Sequence, residues 1–195
     1  MAILKVARIG HPVVRTAARP LTPAEIRSPE IQRLIDDMEI TMHEYDGVGL
    51  AGPQVHIGLR LAVLEVPASD ERAQDAVPFT VLVNPVVTPL ADAKVLGWEG
   101  CLSIPDLRGV VPRFPRLRLE ALDREARPYT LEAEGFHARV IQHECDHLDG
   151  GVYLDRMTDI KTLSFLSEFG RFHGHDHDDH DHDHDHHDDY DHEDR

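Results

Sequence analysis

The sequence predicts an α+β fold in which antiparallel β-sheets pack around a helix in the C-terminal half of the chain. Two observations carry this prediction. Short β-branched or alternating runs follow one another between residues 59 and 134 without a helical segment between them, as in antiparallel sheet. A helical pattern then begins after Gly135 and ends at the Asp-Gly-Gly that follows Leu148.

The elements before the sheet are an extended segment and one helix. Residues 1–21 alternate apolar residues with Arg, Pro and Gly, which indicates an extended lead-in. Thr22 precedes a proline and stands three residues before Glu25, as at a helix N-terminus with a capping box. Apolar residues with helical spacing follow, so one amphipathic N-terminal helix is predicted over residues 22–45.

Five strands are predicted where short apolar runs are separated by Pro, Gly, Asp or Ser. They cover residues 59–66, 77–87, 95–100, 116–121 and 129–134. The central helix follows over residues 136–148. The segment 47–54 is too rich in glycine for regular structure and is expected to form a connecting loop.

A last helix is expected over residues 158–172, before the composition changes abruptly. Its apolar stripe predicts core packing and consists of Leu163, Leu166, Phe169 and Phe172. Residues 173–195 contain nine His and eleven acidic residues, with almost nothing apolar to bury. We therefore predict one folded domain over residues 1–172 and a disordered His/Asp-rich tail over residues 173–195.

The charge and hydropathy of the chain exclude several classes of function. The formal net charge is −16, and no stripe of Lys and Arg marks a nucleic-acid footprint, so no nucleic-acid partner is expected. No 18-residue apolar run predicts a membrane span, and the N-terminus lacks a secretory signal pattern. The expectation is a cytoplasmic, monomeric protein.

The sequence H-E-C-D-H over residues 143–147 predicts a hydrolytic metal site. On a helix, His143 and His147 share one face and can bind one metal ion. The adjacent Glu144 is then placed to act on the catalytic water as a base. The alternative is a surface helix with three solvated side chains.

A site of this kind needs a third protein ligand and an open position for water. Cys101, in the segment GWEGCLSIP, is the candidate, since a thiolate suits iron(II) or zinc. Two alternatives are a buried inert thiol and a disulfide with Cys145. Cys145 lies about 200° round the helix from His143, which favours a place in the core.

The segments GVGLAGPQ, EGCLS and QHECDH, in this order, resemble the three signature motifs of the peptide deformylase family, and the likeness runs from about Leu4 to Phe172. The resemblance implies removal of the N-formyl group from the formylmethionine of nascent polypeptides in the bacterial cytoplasm. It also implies one Fe²⁺ per chain, with Zn²⁺, Ni²⁺ or Co²⁺ as substitutes. Transient ribosome contact is expected from the substrate.

The resemblance also assigns roles residue by residue. The implied metal ligands are Cys101, His143 and His147, and Glu144 is the general acid and base. The implied oxyanion hole consists of Gln54 and the backbone N–H of Leu102. The residues implied to hold the substrate are Val48, Gly49, Gly100, Arg108 and Val140.

Two departures from the family pattern stand out. Gly52 occupies a position where the family usually has Ala, which predicts a looser loop and a less fixed Gln54. The tail is the other departure, and the hypothesis is that it binds divalent metal loosely as a reservoir. The alternative is a solvated acidic segment that affects only solubility and charge.

Two other functions stay open from the residues alone. A zinc endopeptidase could use the same helix without depending on Cys101. A metal-binding or storage protein could use the tail as its functional part, with the body as a carrier.

Overall fold

The computed structural model describes residues 2–68 and 76–173 and has the predicted α+β architecture. The helices are α1 (Pro23–Ile26), α2 (Pro29–Glu44), α3 (Gly135–Leu148) and α4 (Leu166–Phe172). The strands are β1 (Gly49–Ala51), β2 (Leu61–Val66), β3 (Val77–Pro89), β4 (Val95–Cys101), β5 (Ile104–Arg113), β6 (Arg116–Leu122), β7 (Pro128–Glu134) and β8 (Ser164–Phe165). Neighbouring strands are antiparallel in both sheets, which have the orders β1-β2-β3-β6-β7 and β4-β5-β8.

The five-stranded sheet is covered by a helix on each face. Ala62 and Leu64 of β2 belong to the apolar cluster that contains the buried face of α3. Leu61 and Val63 belong to the cluster that contains Ile35, Met38 and Met42 of α2. Successive residues of a strand point to opposite faces, so a strand buried on both sides is apolar at every position.

The predicted N-terminal helix is broken into two. Thr22 and Glu25 form the expected capping box, but α1 ends at Ile26. Helix α2 then begins at Pro29, and the side chain of Ser28 accepts a hydrogen bond from the Ile31 N–H, at 3.3 Å. A proline lacks the N–H that would continue the first helix and disfavours helical geometry at the preceding residue. The prediction of one continuous helix over residues 22–45 was wrong for this reason.

One further prediction of local structure was wrong, and one strand was not predicted. The segment 47–54 is not irregular, because β1 pairs with β2 and a 3-10 helix follows at Gly52–Val55. Strand β5 was not predicted, because Pro105, Asp106, Gly109 and Pro112 interrupt its apolar pattern. Strand β5 nevertheless pairs with β4 along the whole length of β4.

The predicted last helix is shorter than expected and does not enter the core. Within residues 158–172, a 3-10 helix at Ile160–Thr162 and strand β8 precede α4. No residue of α4 is buried, and Phe172 is 64% exposed. Phe169 instead packs edge to face on Trp98, with ring centroids 4.9 Å apart. Helix α4 is thus a surface element beside β4.

The predicted tail lies outside the described residues, apart from His173. Within residues 2–68 and 76–173, each helix is too short or too polar to cross a membrane.

Gly52 lies in a tight part of the fold. A Cβ at this position would lie 2.8 Å from the carbonyl oxygen of Ile57 and 2.9 Å from that of Leu59. Both atoms belong to the backbone, so they cannot turn away as the end of a side chain could. The expectation of a looser loop was wrong, because the glycine allows the chain to pack closely there.

Gly52→Ala is therefore expected to lower the free energy of unfolding by about 1–3 kcal/mol, because it overpacks a buried site. Urea unfolding measures the change. Gly58→Ala is the matched control, since a Cβ at Gly58 meets nothing within 4 Å. Equal stability of the two variants would contradict the close-packing account.

Candidate metal centre and active site

The predicted site residues meet in one cleft of about 1340 Å³ between the N-terminal segment, β1, β4, β5, α3 and α4. Ten of the eleven line it: Val48, Gly49, Gln54, Gly100, Cys101, Leu102, Arg108, Val140, His143 and Glu144. His147, the eleventh, is fully buried behind them. Helix α3 contributes His143, Glu144 and His147, while β4 ends at Cys101.

Cys101, His143 and His147 are grouped closely enough to hold one metal ion. Their ligand atoms all lie within 4.8 Å of one another. The Sγ of Cys101 is 3.2 Å from Nε2 of His147. One thiolate and two imidazoles form a donor set that suits iron(II) or zinc, and a four-coordinate ion would keep one position for water. The residues present therefore fit a catalytic divalent ion.

The thiol of Cys101 is disposed to ionise. Burial opposes the thiolate, but the charge of His147 and hydrogen bonds with both histidines outweigh it and hold the pKa of Cys101 well below its usual range. Cys145 is chemically different, since burial raises the pKa of its thiol to about 12. Both cysteines are free, so the disulfide alternative was wrong, and Cys145 packs against the apolar cluster around α3.

Glu99 orients one of the candidate metal ligands. Its carboxylate oxygen Oε2 lies 2.9 Å from Nδ1 of His143. An ionised carboxylate can only accept a hydrogen bond, so Nδ1 carries the proton and the lone pair on Nε2 is left for a metal. Sequence reasoning missed Glu99, although the two-residue repeat of a strand places it on the same face of β4 as Cys101.

Glu99 belongs to an ionic network of five charged residues, of which Glu99, Arg113 and Asp146 are buried. Arg113 donates to both Glu99 oxygens, at 2.9 and 3.0 Å, and to Asp146 at 2.6 Å. Arg139 also donates to Glu99, and Arg156 to Asp146. Burial opposes the charge of Glu99, but hydrogen bonds from Arg113 and His143 outweigh it and hold its pKa at about 2. The network joins β4, β5 and α3.

The Glu144 carboxyl group lies against the backbone of Gly49. A Cβ at Gly49 would overlap Oε1 of Glu144, so a larger residue would displace the carboxyl group. Oε2 is buried and has no hydrogen-bond partner among the described residues. Burial raises the pKa of Glu144 to about 7, despite the opposing charges of the two histidines. Such a carboxyl group can both accept and release a proton near neutral pH.

The side-chain amide of Gln54 is held at both ends. Its Oε1 accepts from the Ala51 N–H at 2.8 Å, and its Nε2 donates to Ser103 Oγ at 3.3 Å. Nε2 is also 3.5 Å from the Cys101 sulfur. The donor end of this buried amide therefore faces the candidate metal ligands, and Leu102 follows Cys101 at the same end of the cleft.

The N-terminal segment supports this arrangement through its backbone. The Ala7 N–H donates to the carbonyl oxygen of Gln54 at 2.7 Å, and the Ile9 N–H donates to that of Ser103 at 2.8 Å. These bonds connect the N-terminal lead-in, which contains a 3-10 helix at Pro12–Arg15, to two motif segments that are far apart in the sequence. The lead-in thus forms one wall of the cleft.

The walls of the cleft include both predicted and unpredicted residues. Val48 and Val140 are joined by Phe136, which the sequence did not single out. The guanidinium group of Arg108 lies directly over Gly100, where only a glycine leaves room for it. Trp98, Leu166 and Phe169 extend the apolar lining beside α4.

Residues 3–163 match the family model described as polypeptide deformylase. The chain belongs to the peptide deformylase family. It is 44% identical over 165 residues to peptide deformylase 2 of Pseudomonas syringae pv. tomato. This alignment covers 84% of this chain and 92% of the relative. It is 45% identical over 165 residues to peptide deformylase 1 of Bordetella pertussis, with coverages of 84% and 91%.

Solved deformylase structures share the fold. A Met-Ala-Ser-bound class I type b peptide deformylase from Acinetobacter baumannii matches with a TM-score of 0.75 and 34% identity, over 80% of this chain and 100% of the other. The deformylase from Thermotoga maritima matches with a TM-score of 0.73 and 31% identity, over 82% and 100%. The chain is thus a hydrolase that removes the N-formyl group from formylmethionine at the start of nascent polypeptides.

Glu99→Gln is expected to weaken zinc binding about 10- to 100-fold, because a neutral amide holds His143 less firmly. Competition with a chromophoric chelator measures the affinity, and urea unfolding measures the accompanying loss of stability.

Asp146→Asn is the matched control for this variant. It disturbs the same Arg113 network, but Asp146 has no hydrogen bond to His143 in the described network. We expect it to lower stability while leaving zinc affinity within a few-fold of the starting protein. Equal losses of affinity in the two variants would contradict a specific role of Glu99.

Proposed function

We propose that this deformylase acts through Cys101, His143 and His147 as metal ligands and Glu144 as general acid and base. The observation that carries the proposal is the grouping of the three ligand atoms within 4.8 Å beside a buried carboxyl group. A divalent ion held there would supply a Lewis acid that polarises the formyl oxygen and lowers the pKa of water.

Glu144 moves the protons of the reaction in this proposal. Its carboxylate accepts a proton from the attacking water while the water oxygen bonds to the formyl carbon. It then gives the proton to the amine nitrogen as the carbon–nitrogen bond breaks, which releases formate and a free α-amine. The buried Oε2 of Glu144 has no hydrogen-bond partner among the described residues, so it can accept the proton.

Gln54 and Leu102 are proposed to stabilise the negative charge that develops on the formyl oxygen. The Gln54 amide is fixed by Ala51 and Ser103 before substrate arrives, so little reorganisation is needed. The backbone N–H of Leu102 would be the second donor. Donors of this kind commonly contribute about 10²- to 10³-fold to the rate.

The substrate is proposed to enter with its methionine side chain against Val48 and Val140. Both are partly or fully buried and belong to the apolar cluster around α3, which suits a thioether side chain. Gly49, Gly100 and Arg108 are proposed to hold the peptide backbone. All three line the same cleft.

The finer biological setting is also a proposal. We propose Fe²⁺ as the ion used in the cell, with Zn²⁺, Ni²⁺ or Co²⁺ as substitutes, since the Cys/His/His set accepts all four. The named relatives are bacterial, which supports a bacterial cytoplasmic enzyme. We further propose a monomer that contacts the ribosome transiently, where its substrate emerges.

The direct test is incubation of the Fe²⁺-loaded protein, prepared anaerobically, with formyl-Met-Ala-Ser. We expect formate and free amine, loss of both on removal of the metal, and recovery when Fe²⁺ is restored. Cys101→Ala should bind metal weakly and release little formate. Cleavage of internal peptide bonds without dependence on Cys101 would favour the endopeptidase, and metal binding without any hydrolysis would favour the storage protein.

Glu144→Gln is expected to lower kcat for deformylation at least about 10²-fold, because it removes the general base. Metal content should be unchanged, since Glu144 is not among the grouped ligands. The release of formate measures the rate, and metal analysis confirms loading. Glu120→Gln, at an exposed position on β6, is the matched control and should retain full activity. A Glu144→Gln enzyme of normal kcat would overturn the assignment.

A further inference from the structure

We propose that an apolar rim at the mouth of the cleft binds the side chains of the nascent chain from its fourth residue onward. Nascent chains with apolar residues at these positions are then the preferred substrates. The rim consists of Leu96, Trp98, Leu166 and Phe169. The inference rests on the proposed function, because it takes the formyl group of the substrate to lie beside Cys101.

The rim is formed by two elements whose side chains meet edge to face. Leu96 and Trp98 lie two residues apart on β4 and therefore share one face of that strand. Leu166 and Phe169 lie three residues apart on α4 and are neighbours on the helix. The rings of Trp98 and Phe169 join the two pairs, with centroids 4.9 Å apart. Leu96 is 65% exposed and Leu166 is 42% exposed, so the rim leaves apolar surface open to solvent.

The rim is continuous with the cleft in which the substrate is proposed to bind. Trp98, Leu166 and Phe169 line this cleft together with the proposed metal ligand Cys101. The cleft has a volume of about 1340 Å³, whereas pockets for small ligands have volumes of about 300–1,000 Å³. It is therefore larger than a formylated methionine with one or two further residues requires. The next residues of the same polypeptide are covalently tied to the site, so they are the occupant that the rim fits.

The distance along β4 determines which residue of the substrate reaches the rim. Trp98 lies three residues before Cys101, about 10 Å away at roughly 3.3 Å per residue. Gly100, which is proposed to hold the peptide backbone, lies between them, so the substrate runs from Cys101 towards Trp98. The fourth residue of an extended peptide also begins about 10 Å from the formylated nitrogen. The side chains of residues four and five therefore reach Trp98 and Phe169.

Arg139 makes recognition at the rim depend on side chains rather than on the backbone. Strand β4 is at the edge of its sheet, where an extended peptide could add as a further strand. The guanidinium group of Arg139 donates to the carbonyl oxygens of Val95 and Gly97, at 3.0 and 3.3 Å. It thus occupies acceptors that an added strand would need. The apolar side chains that remain distinguish apolar from polar residues without requiring one particular sequence.

The first experiment compares three substrates of the full chain loaded with Fe²⁺. They are formyl-Met-Ala-Ser, formyl-Met-Ala-Ser-Leu-Leu-Ser and formyl-Met-Ala-Ser-Ser-Ser-Ser, and the release of formate gives kcat and KM for each. Partial burial of two Leu side chains is expected to lower KM about 10-fold for the Leu peptide relative to the Ser peptide. The two hexapeptides should have the same kcat, because residues four and five are remote from the bond that breaks.

The double variant Leu96→Ser/Leu166→Ser tests whether the rim causes this preference. We expect the KM values of the Leu and Ser peptides to come within about 3-fold of each other, since exposed apolar surface is removed. Val86→Ser, at a 59% exposed position on β3, is the matched control and should keep the full difference. Equal KM values for the two hexapeptides in the starting protein would overturn the proposal. A preference for Leu that persists in the double variant would also overturn it.

The second experiment is independent of the reaction. Trp98 is the only tryptophan of the chain, so tryptophan fluorescence reports contact at the rim. Titration with the unformylated peptide Met-Ala-Ser-Leu-Leu-Ser should shift the emission to shorter wavelength, whereas Met-Ala-Ser-Ser-Ser-Ser should not. An unchanged spectrum with both peptides, with formate release intact, would overturn the role of the rim and leave the proposed function standing. Failure of the proposed function looks different, because no formylated peptide would release formate while Trp98 still responded to the Leu peptide.

A second copy of the chain is the other occupant that an exposed apolar surface could have. Sedimentation velocity of the starting protein and of Leu96→Ser distinguishes this case from binding of the substrate. We expect both proteins to sediment as monomers. A dimer that dissociates on Leu96→Ser would overturn the assignment of the rim to the nascent chain.

Discussion

The structure depends above all on the pairing of the buried Glu99 carboxylate. A carboxylate that is 6% exposed is strongly unfavourable unless its charge is compensated and its lone pairs are used. Arg113, Arg139 and His143 provide this compensation from β5 and α3. Because the partners come from two other elements, β5 and α3, the position of Glu99 determines how β4 meets α3. The spacing between Cys101 and the two histidines follows from that contact.

Two buried carboxyl groups near the proposed metal ligands have opposite properties, and the difference follows from their surroundings. Glu99 is fully paired, and its pKa falls to about 2. Glu144 lies against Gly49 with one oxygen unpaired among the described residues, and burial raises its pKa to about 7. Such a separation of pKa values supports the proposed division between a structural charge at Glu99 and a proton-transfer group at Glu144. The same protein interior thus holds one carboxyl group permanently ionised and leaves the other able to titrate.

Local patterns in the sequence were sufficient to predict most elements and the candidate ligands. The strands, the capping box at Thr22 and helix α3 have short-range signals, and His143 and His147 share a helix face. The rest depends on contacts between distant residues. Pro29 breaks a periodicity that otherwise continues, β5 is a strand despite its prolines, and α4 packs on Trp98 rather than in the core. The Arg113 network and the tight backbone at Gly52 have no short-range signal at all.

The hydrogen bonds of the N-terminal lead-in have a consequence for the order of assembly. The backbone N–H groups of Ala7 and Ile9 donate hydrogen bonds to the carbonyl oxygens of Gln54 and Ser103, respectively. The Ala18 N–H donates to the carbonyl oxygen of Leu148, at the end of α3. The lead-in therefore makes contacts with residues as far along the chain as Leu148, and contacts of such sequence separation slow folding. The hydrogen bond between Ala18 and Leu148 can form only after the whole of α3 has been synthesised, so this wall of the cleft closes late in translation.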